Sequence, residues 1–281
     1  MRSPNFTSCI RYWVSATVLS LAACGSGGSG PAVVTLSASN VRFGSTSTIT
    51  ISGNNLRSGI EMAIEGGCLN LTKVANGTDE TQQYTCDVRG IGEIKAYVID
   101  AAGAFIAQLT LQVPVPQVSV ATSMGSFVLE LDAEKAPATT LNFLSYVTAG
   151  FYRNVLVHRA IKDVGVLTGG YSTGLRVKPP TLPEFALESN NGLKNLRGTI
   201  GMFHGASATS ARAQWYVNVA DNANLDFVDE SNPGFAVFGQ VVSGLDVIDA
   251  ISAVATKSDS TTGLTDVPVK EVLITAISQL R

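Results

Sequence analysis

Between residues 31 and 131 the chain is built from short runs that alternate apolar and polar side chains, separated by turn-forming residues. Val33-Val34-Thr35-Leu36, Ser47-Thr48-Ile49-Thr50-Ile51, Ile60-Glu61-Met62-Ala63-Ile64, Glu93-Ile94-Lys95-Ala96-Tyr97-Val98-Ile99 and Gln108-Leu109-Thr110-Leu111-Gln112-Val113 carry the period of two that turns one strand face toward a core. Ser52-Gly53-Asn54-Asn55, Gly66-Gly67, Asn76-Gly77 and Ala101-Ala102-Gly103 lie between them, and these residue types supply or tolerate the conformations of tight turns. Such a chain must bury its strand faces against one another, so the expected class is mainly β.

Residues 31–113 resemble a small immunoglobulin-like β-sandwich, and Ser52-Gly53-Asn54-Asn55-Leu56 is similar to a segment of bacterial Ig-like and IPT-type modules. After Cys24 the only cysteines are Cys68 and Cys86. In an exported protein they are expected as a disulfide; a redox-active or metal-binding pair is the alternative, without a Cys-x-x-Cys spacing or a nearby histidine to support it. No catalytic constellation appears here, which leaves a spacer or a binding platform. Pro114-Val115-Pro116 then forms a semi-rigid linker over 114–116.

The N-terminus has the form of an export signal over residues 1–23: Arg2 and Arg11, then an apolar segment from Tyr12 to Leu21 too short to span a bilayer. Leu21-Ala22-Ala23-Cys24 resembles the lipobox of bacterial lipoproteins, which implies lipidation of Cys24 and a membrane anchor; a plain cut near Ala23 is the alternative. Residues 24–30, with Gly25-Ser26-Gly27-Gly28-Ser29-Gly30, form a flexible tether. Gly25, where inner-membrane lipoproteins tend to have aspartate, implies the periplasmic side of the outer membrane. A net charge of -3 without a basic cluster argues against a nucleic-acid partner.

Residues 117–281 change pattern. Val118 to Leu131 alternates as a hairpin turning near Gly125, and Ala136 to Val147 is amphipathic with Pro137 at its start and Gly150 beyond its end. The stretch Phe151-Tyr152-Arg153-Asn154-Val155-Leu156-Val157-His158-Arg159-Ala160-Ile161 sets Arg159 among strand-forming residues, and Gly169-Gly170 follows. An arginine in that setting either snorkels to solvent or is held in a groove for a ligand.

His158-Arg159, Asn190 to Met202, Ala213-Gln214-Trp215-Tyr216-Val217-Asn218 and Phe235 to Asp249, in this order, closely resemble a cyclophilin-type peptidyl-prolyl isomerase of the short bacterial kind. The resemblance covers residues 117–281 and implies a closed eight-stranded antiparallel barrel with two capping helices, at about 137–148 and 244–254. It assigns Arg159 as the catalytic arginine and Gln214 as the glutamine that contacts substrate backbone. Met202 heads the groove strand, Phe203 begins the segment that pairs with substrate, and Tyr216 and Leu225 line the proline pocket. Val166 and Thr168 fall where the family has methionine and glutamine, after a one-residue insertion in Lys162-Asp163-Val164. The pocket phenylalanine is missing unless Val164 takes its place. Asn224 replaces a large aromatic and Phe235 a histidine. His158 is expected as a structural residue of the barrel, and Trp215, beside Gln214, as a fluorescent reporter of ligand.

Rotating an X-Pro amide breaks no bond, so the chemistry needs no cofactor and no metal. The implied function is isomerisation of X-Pro bonds in exported proteins, at a rate lowered by the missing ring. A non-catalytic peptide-binding or scaffold lipoprotein is the alternative. Proline-containing polypeptides are the expected partners of a monomer, with weak binding of cyclosporin.

Overall fold

The computed structural model describes residues 30–205 and 210–281. The expectations for the export signal, for Cys24 and for the tether through Ser29 lie outside the described residues. Among those described, no helix is long and apolar enough to cross a membrane.

The alternating runs form β1 (Ala32–Ser39), β2 (Thr46–Asn54), β3 (Ile60–Glu65), β4 (Cys68–Lys73), β5 (Thr81–Val88), β6 (Gly92–Asp100) and β7 (Phe105–Val113). They make a four-stranded sheet, β1-β2-β5-β4, and a three-stranded sheet, β3-β6-β7. Ile49 and Ile51 from the first and Ile94, Ala96 and Val98 from the second are fully buried, as alternation requires of inward positions. The Tyr84 hydroxyl of β5 donates to the Ile60 carbonyl of β3 at 3.1 Å, a polar tie between the sheets. Strand β5 was absent from the apolar pattern because Gln82 holds one of its inward positions, its amide satisfied by the Thr78 carbonyl at 2.7 Å. Cys68 and Cys86 form a disulfide between the neighbouring strands β4 and β5, with Cα atoms 5.5 Å apart.

Strand β7 ends at Val113 and β8 (Gln117–Thr122) begins three residues later. Next come β9 (Gly125–Leu131), helix α1 (Pro137–Thr148), β10 (Val155–Ile161), β11 (Gly165–Ser172), the short β12 (Arg176–Val177), β13 (Thr199–Met202), β14 (Trp215–Asn218) and β15 (Ala236–Ser243). Helix α2 (Leu245–Ser252), the pair β16 (Thr256–Lys257) and β17 (Val267–Pro268), and β18 (Leu273–Gln279) complete the chain. The order β10-β18-β8-β9-β15-β13-β14-β11, closed by pairing of β10 with β11, is an eight-stranded antiparallel barrel, with β12 appended to β11. The hairpin turns at Ser123-Met124, one step before the position expected: Thr122 pairs with Gly125. Helix α2 begins after Gly244, which precedes it with φ 79° and where a Cβ would lie 2.5 Å from the Ser126 carbonyl oxygen, and it ends at Ser252, two residues before the expected end.

Helix α1 plugs the barrel. Its Phe143 is fully buried and meets the rings of Tyr152, Trp215 and Phe238 at centroid distances of 5.5, 5.5 and 5.4 Å. Ala136 has no side chain with which to cap the helix, so the Glu188 carboxylate does so from a distant loop. It accepts from the Ala138 and Thr139 amides at 3.1 and 2.8 Å, where negative charge also suits the helix dipole. The first seven strands adjoin the barrel through Phe43-Gly44: the Phe43 carbonyl accepts from Gln279 at 3.1 Å, and Gly44 faces Leu141 and Leu144 of α1.

The disulfide joins residues 18 apart in sequence, so its loss should cost roughly 3 kcal/mol by chain-entropy reasoning. A Cys68→Ser/Cys86→Ser double variant is expected to show that loss as a lower urea midpoint for the first seven strands, with little change in the midpoint of the barrel.

Candidate functional site

Directly paired residues on neighbouring strands share a face of the wall. Val157 pairs with Thr168, Thr168 with Trp215 and Trp215 with Met202, making one interior row. Ala160, Val166, Val217 and Ile200 make the second. Arg159, Leu167, Tyr216 and Gly201 are linked in the same way on the opposite, outward face. That row defines the groove. A β-bulge at His158 sets Arg159 opposite Leu167, because the register advances two residues on β10 against one on β11.

Met202, Val166 and Thr168, expected in the groove, are therefore placed with their side chains inside the barrel, all buried. Because β11 alternates regularly against β14 and the bulge sets Arg159 opposite Leu167, Leu167 takes the outward position beside Arg159. Thr168 uses its hydroxyl internally, donating to the Leu156 carbonyl at 2.8 Å, and so is not available to orient the arginine. Val164 stays at the hairpin turn, where its carbonyl accepts from Asn222 and Val219. Trp215 also faces inward, so its fluorescence reports on the core rather than on the groove.

The remaining expected residues converge. Tyr216 meets the Phe235 ring edge-on at 5.9 Å, and Phe203 stacks on Phe235 at 5.7 Å, giving an aromatic wall of three rings. The Phe235 amide donates to the Leu225 carbonyl at 2.9 Å, which holds half-buried Leu225 beside that wall. Asn224 is exposed on the same short turn, Ala223–Leu225. The hydroxyl that Tyr216 adds to the expected ring finds its partner in Asn195 Oδ1 at 2.6 Å, and Asn195 is in turn anchored to Asp226. Burial pushes the Tyr216 phenol well above the ordinary range, so it stays a neutral donor. Gly201 is required under that ring, since a Cβ there would lie 2.2 Å from the Tyr216 Cζ and hydroxyl oxygen.

Gln214 occupies the next outward position of β14's approach, and the Phe203 amide donates to its carbonyl at 2.9 Å. Its side chain lies over Gly170, where a Cβ would stand 2.8 Å from the Gln214 Cδ. At Gly169, φ is 96° and a Cβ would meet the Ala213 carbonyl oxygen at 2.3 Å. The Gly-Gly pair thus admits β14 and Gln214 at close range. Beyond Gln214 the groove opens into a cleft of about 260 Å³ lined by Phe203, His204, Lys178, Glu184 and Arg212. His204 closes the loop against Phe235, its ring nitrogens each 2.8 Å from the Gly205 and Gly234 carbonyl oxygens.

Arg159 is held from a direction absent from the sequence pattern. Its Nη2 donates to Asp266 Oδ2 at 3.0 Å and to Thr265 Oγ1 at 3.2 Å. Only tertiary contact could reveal these partners, more than a hundred residues downstream. His158, with 1% of its surface exposed, lies against Tyr171 at 4.8 Å. Burial pushes its pKa down to about 4; interactions with the Leu156 backbone and Gln214 oppose the shift, and the Arg159 charge adds to it. It is a neutral, structural imidazole at pH 7.

The closed antiparallel barrel thus carries a cation, an amide side chain and an aromatic wall on its outer face. Residues 117–279 match the family model described as cyclophilin type peptidyl-prolyl cis-trans isomerase/CLD. Peptidyl-prolyl cis-trans isomerase A of Dickeya dadantii is 45% identical over 141 residues, covering 50% of this chain and 73% of that protein. Peptidyl-prolyl cis-trans isomerase B of Escherichia coli is 41% identical over 160 residues, covering 56% and 95% respectively. A crystal structure of a cyclophilin-type isomerase from Cryptosporidium parvum, at 22% identity and a TM-score of 0.48, covers 59% of this chain and 98% of that one. The chain belongs to the cyclophilin-type peptidyl-prolyl cis-trans isomerase family, and its enzyme class is isomerase.

The neutral His158 makes a pH prediction. Its native pKa of about 4 lies below the ordinary value of 6.5, so on acidification the unfolded chain takes up the proton first. The stability present above pH 6.5 is lost progressively as the pH falls toward 4, by roughly 3 kcal/mol in all. Urea unfolding at pH 7 and pH 4 should therefore show a larger loss for the wild type than for His158→Gln, by about that amount.

Proposed function

We propose that this isomerase acts on X-Pro bonds of exported polypeptides, with Arg159 as the catalytic residue and Gln214, Tyr216, Leu225, Phe203 and Phe235 forming the binding groove. The observation that carries this reading is the outward row Arg159, Leu167, Tyr216, flanked by the Phe203 and Phe235 rings.

Twisting the prolyl amide removes its conjugation, against a barrier of about 18–20 kcal/mol, and leaves a lone pair on the imide nitrogen. A guanidinium donor aimed at that nitrogen stabilises the twisted state more than either planar isomer, which is what lowers the barrier. The aromatic wall holds the proline ring still while Gln214 holds the neighbouring backbone, so that the rotation is confined to one bond.

The rate is proposed to be lower than an intact family pocket would give. Leu167 supplies an apolar side chain on the groove face but no ring, and the ring burial forgone is of the order of 1–3 kcal/mol, or roughly ten- to a hundredfold in rate. Asn224 removes a further aromatic, so cyclosporin is expected to bind weakly.

Export and anchoring rest on the N-terminal sequence, with Cys24 as the lipidated residue and the periplasmic face of the outer membrane as the location. The strand orders β1-β2-β5-β4 and β3-β6-β7 are those of a seven-stranded immunoglobulin-like sandwich, and support reading residues 31–113 as such a module. Ala32 pairs with Asn54 at one end of β1 and β2, while Phe43 and Gly44 touch the barrel at the other. The module then serves as a spacer that sets the groove away from the anchored end of a monomer.

Kinetics on a proline-containing peptide test the assignment. Arg159→Ala is expected to lower kcat/KM about a hundredfold or more, as loss of a transition-state donor does. Unchanged kinetics with peptide binding retained would instead assign the groove to a non-catalytic binding role. Leu167→Phe, which returns a ring to the groove face, is expected to raise kcat/KM about tenfold in the same assay.

A further inference from the structure

We infer that Asp266 is a positioning residue for Arg159, its carboxylate taking over from the far edge of β10 the orienting role that Thr168 does not fill. The inference rests on the isomerase reading above. Three features carry it.

First, the contact is built from two side chains that fix each other. The Thr265 hydroxyl donates to Asp266 Oδ2 at 2.8 Å, which directs its proton to the carboxylate and leaves its lone pairs toward Arg159 Nη2 at 3.2 Å. Nη2 completes the triangle by donating to the same Oδ2 at 3.0 Å. The Thr265 and Arg159 bonds, in that order, hold the Asp266 carboxyl below its ordinary range despite partial burial, so it is ionised throughout the neutral region.

Second, the carboxylate stands on anchored backbone. The Ala160 amide donates to the Asp266 carbonyl at 2.8 Å, so Asp266 continues the edge of β10 one residue from Arg159 itself. Val267 and Pro268 beyond it are buried. Asp266 has φ 58°, a left-handed conformation that Asp and Asn adopt more readily than other side chains.

Third, the grip is one-sided. Asp266 and Thr265 both take Nη2, while Nε of Arg159 is buried with no partner among the described residues. The guanidinium is thereby held by one terminal nitrogen and keeps an uncommitted donor. The one carboxylate offsets the charge and, together with the Thr265 hydroxyl, fixes the direction of Nη2. With side chains 32% and 36% exposed, the pair is worth a several-fold effect rather than an all-or-none one.

The test is a double-mutant cycle in the full chain, with kcat and KM measured on a proline-containing peptide. Asp266→Asn is the informative variant because asparagine keeps the left-handed backbone and the side-chain shape while removing the charge. It is expected to lower kcat about three- to tenfold with KM little changed, and to have no further effect in an Arg159→Ala background. Wild-type kcat, a raised kcat, or the same fractional loss in both backgrounds would overturn the inference; the last would mean that Asp266 acts on the fold and not through the arginine. The isomerase reading fails separately, if Arg159→Ala alone leaves kcat/KM unchanged, and Asp266 would then have no catalytic group to position.

Discussion

Strict alternation on a closed eight-stranded wall governs where every side chain near Arg159 can go, because a register shift of one residue exchanges the interior set for the exterior set. The interior rows here are Val157, Thr168, Trp215, Met202 and Ala160, Val166, Val217, Ile200, packed beneath the plug that α1 supplies. Moving any of them outward would break the core, so the barrel holds this register firmly. The insertion before β11 and the bulge at His158 are absorbed within that constraint. The bulge keeps Arg159 on the outside and sets it opposite Leu167, which therefore stands on the same outward face.

The groove inherits its shape from the same wall. Tyr216 can lie across β13 only because Gly201 has no Cβ, and Gln214 can approach β11 only because Gly170 has none. The polar ends are then secured from outside the barrel strands: Asn195, itself anchored to Asp226, accepts from the Tyr216 hydroxyl, and the Leu225 carbonyl accepts from the Phe235 amide. Substrate would therefore meet a recess fixed by backbone spacing more than by side-chain choice, which suits a reaction that requires confinement rather than bond making.

The electrostatics are correspondingly sparse. His158, next to the arginine, is kept neutral by burial, so the Arg159 charge is not joined by a second cation at neutral pH. The balancing carboxylate comes from Asp266, across the edge of β10. That a late loop should complete an early strand follows from closure, since β10 lies between β11 and the chain's last strand, β18.

Much of this was legible in the sequence. The alternating runs and their turn residues marked the mainly β class, the motif order around His158-Arg159 and Gln214-Trp215-Tyr216 marked the barrel, and Pro137 marked the start of α1. Period and turn chemistry are local properties, so sequence by itself determines them. It also determined which groove residues are present, including the missing pocket ring. Strand β5 stayed hidden because a buried but satisfied glutamine looks like a surface residue in a linear pattern. The faces of Val166, Leu167 and Thr168, and the grip of Thr265 and Asp266 on Arg159, were decided only by tertiary structure. A bulge has no local signature strong enough to fix its position, and two side chains over a hundred residues apart become partners only when the barrel closes.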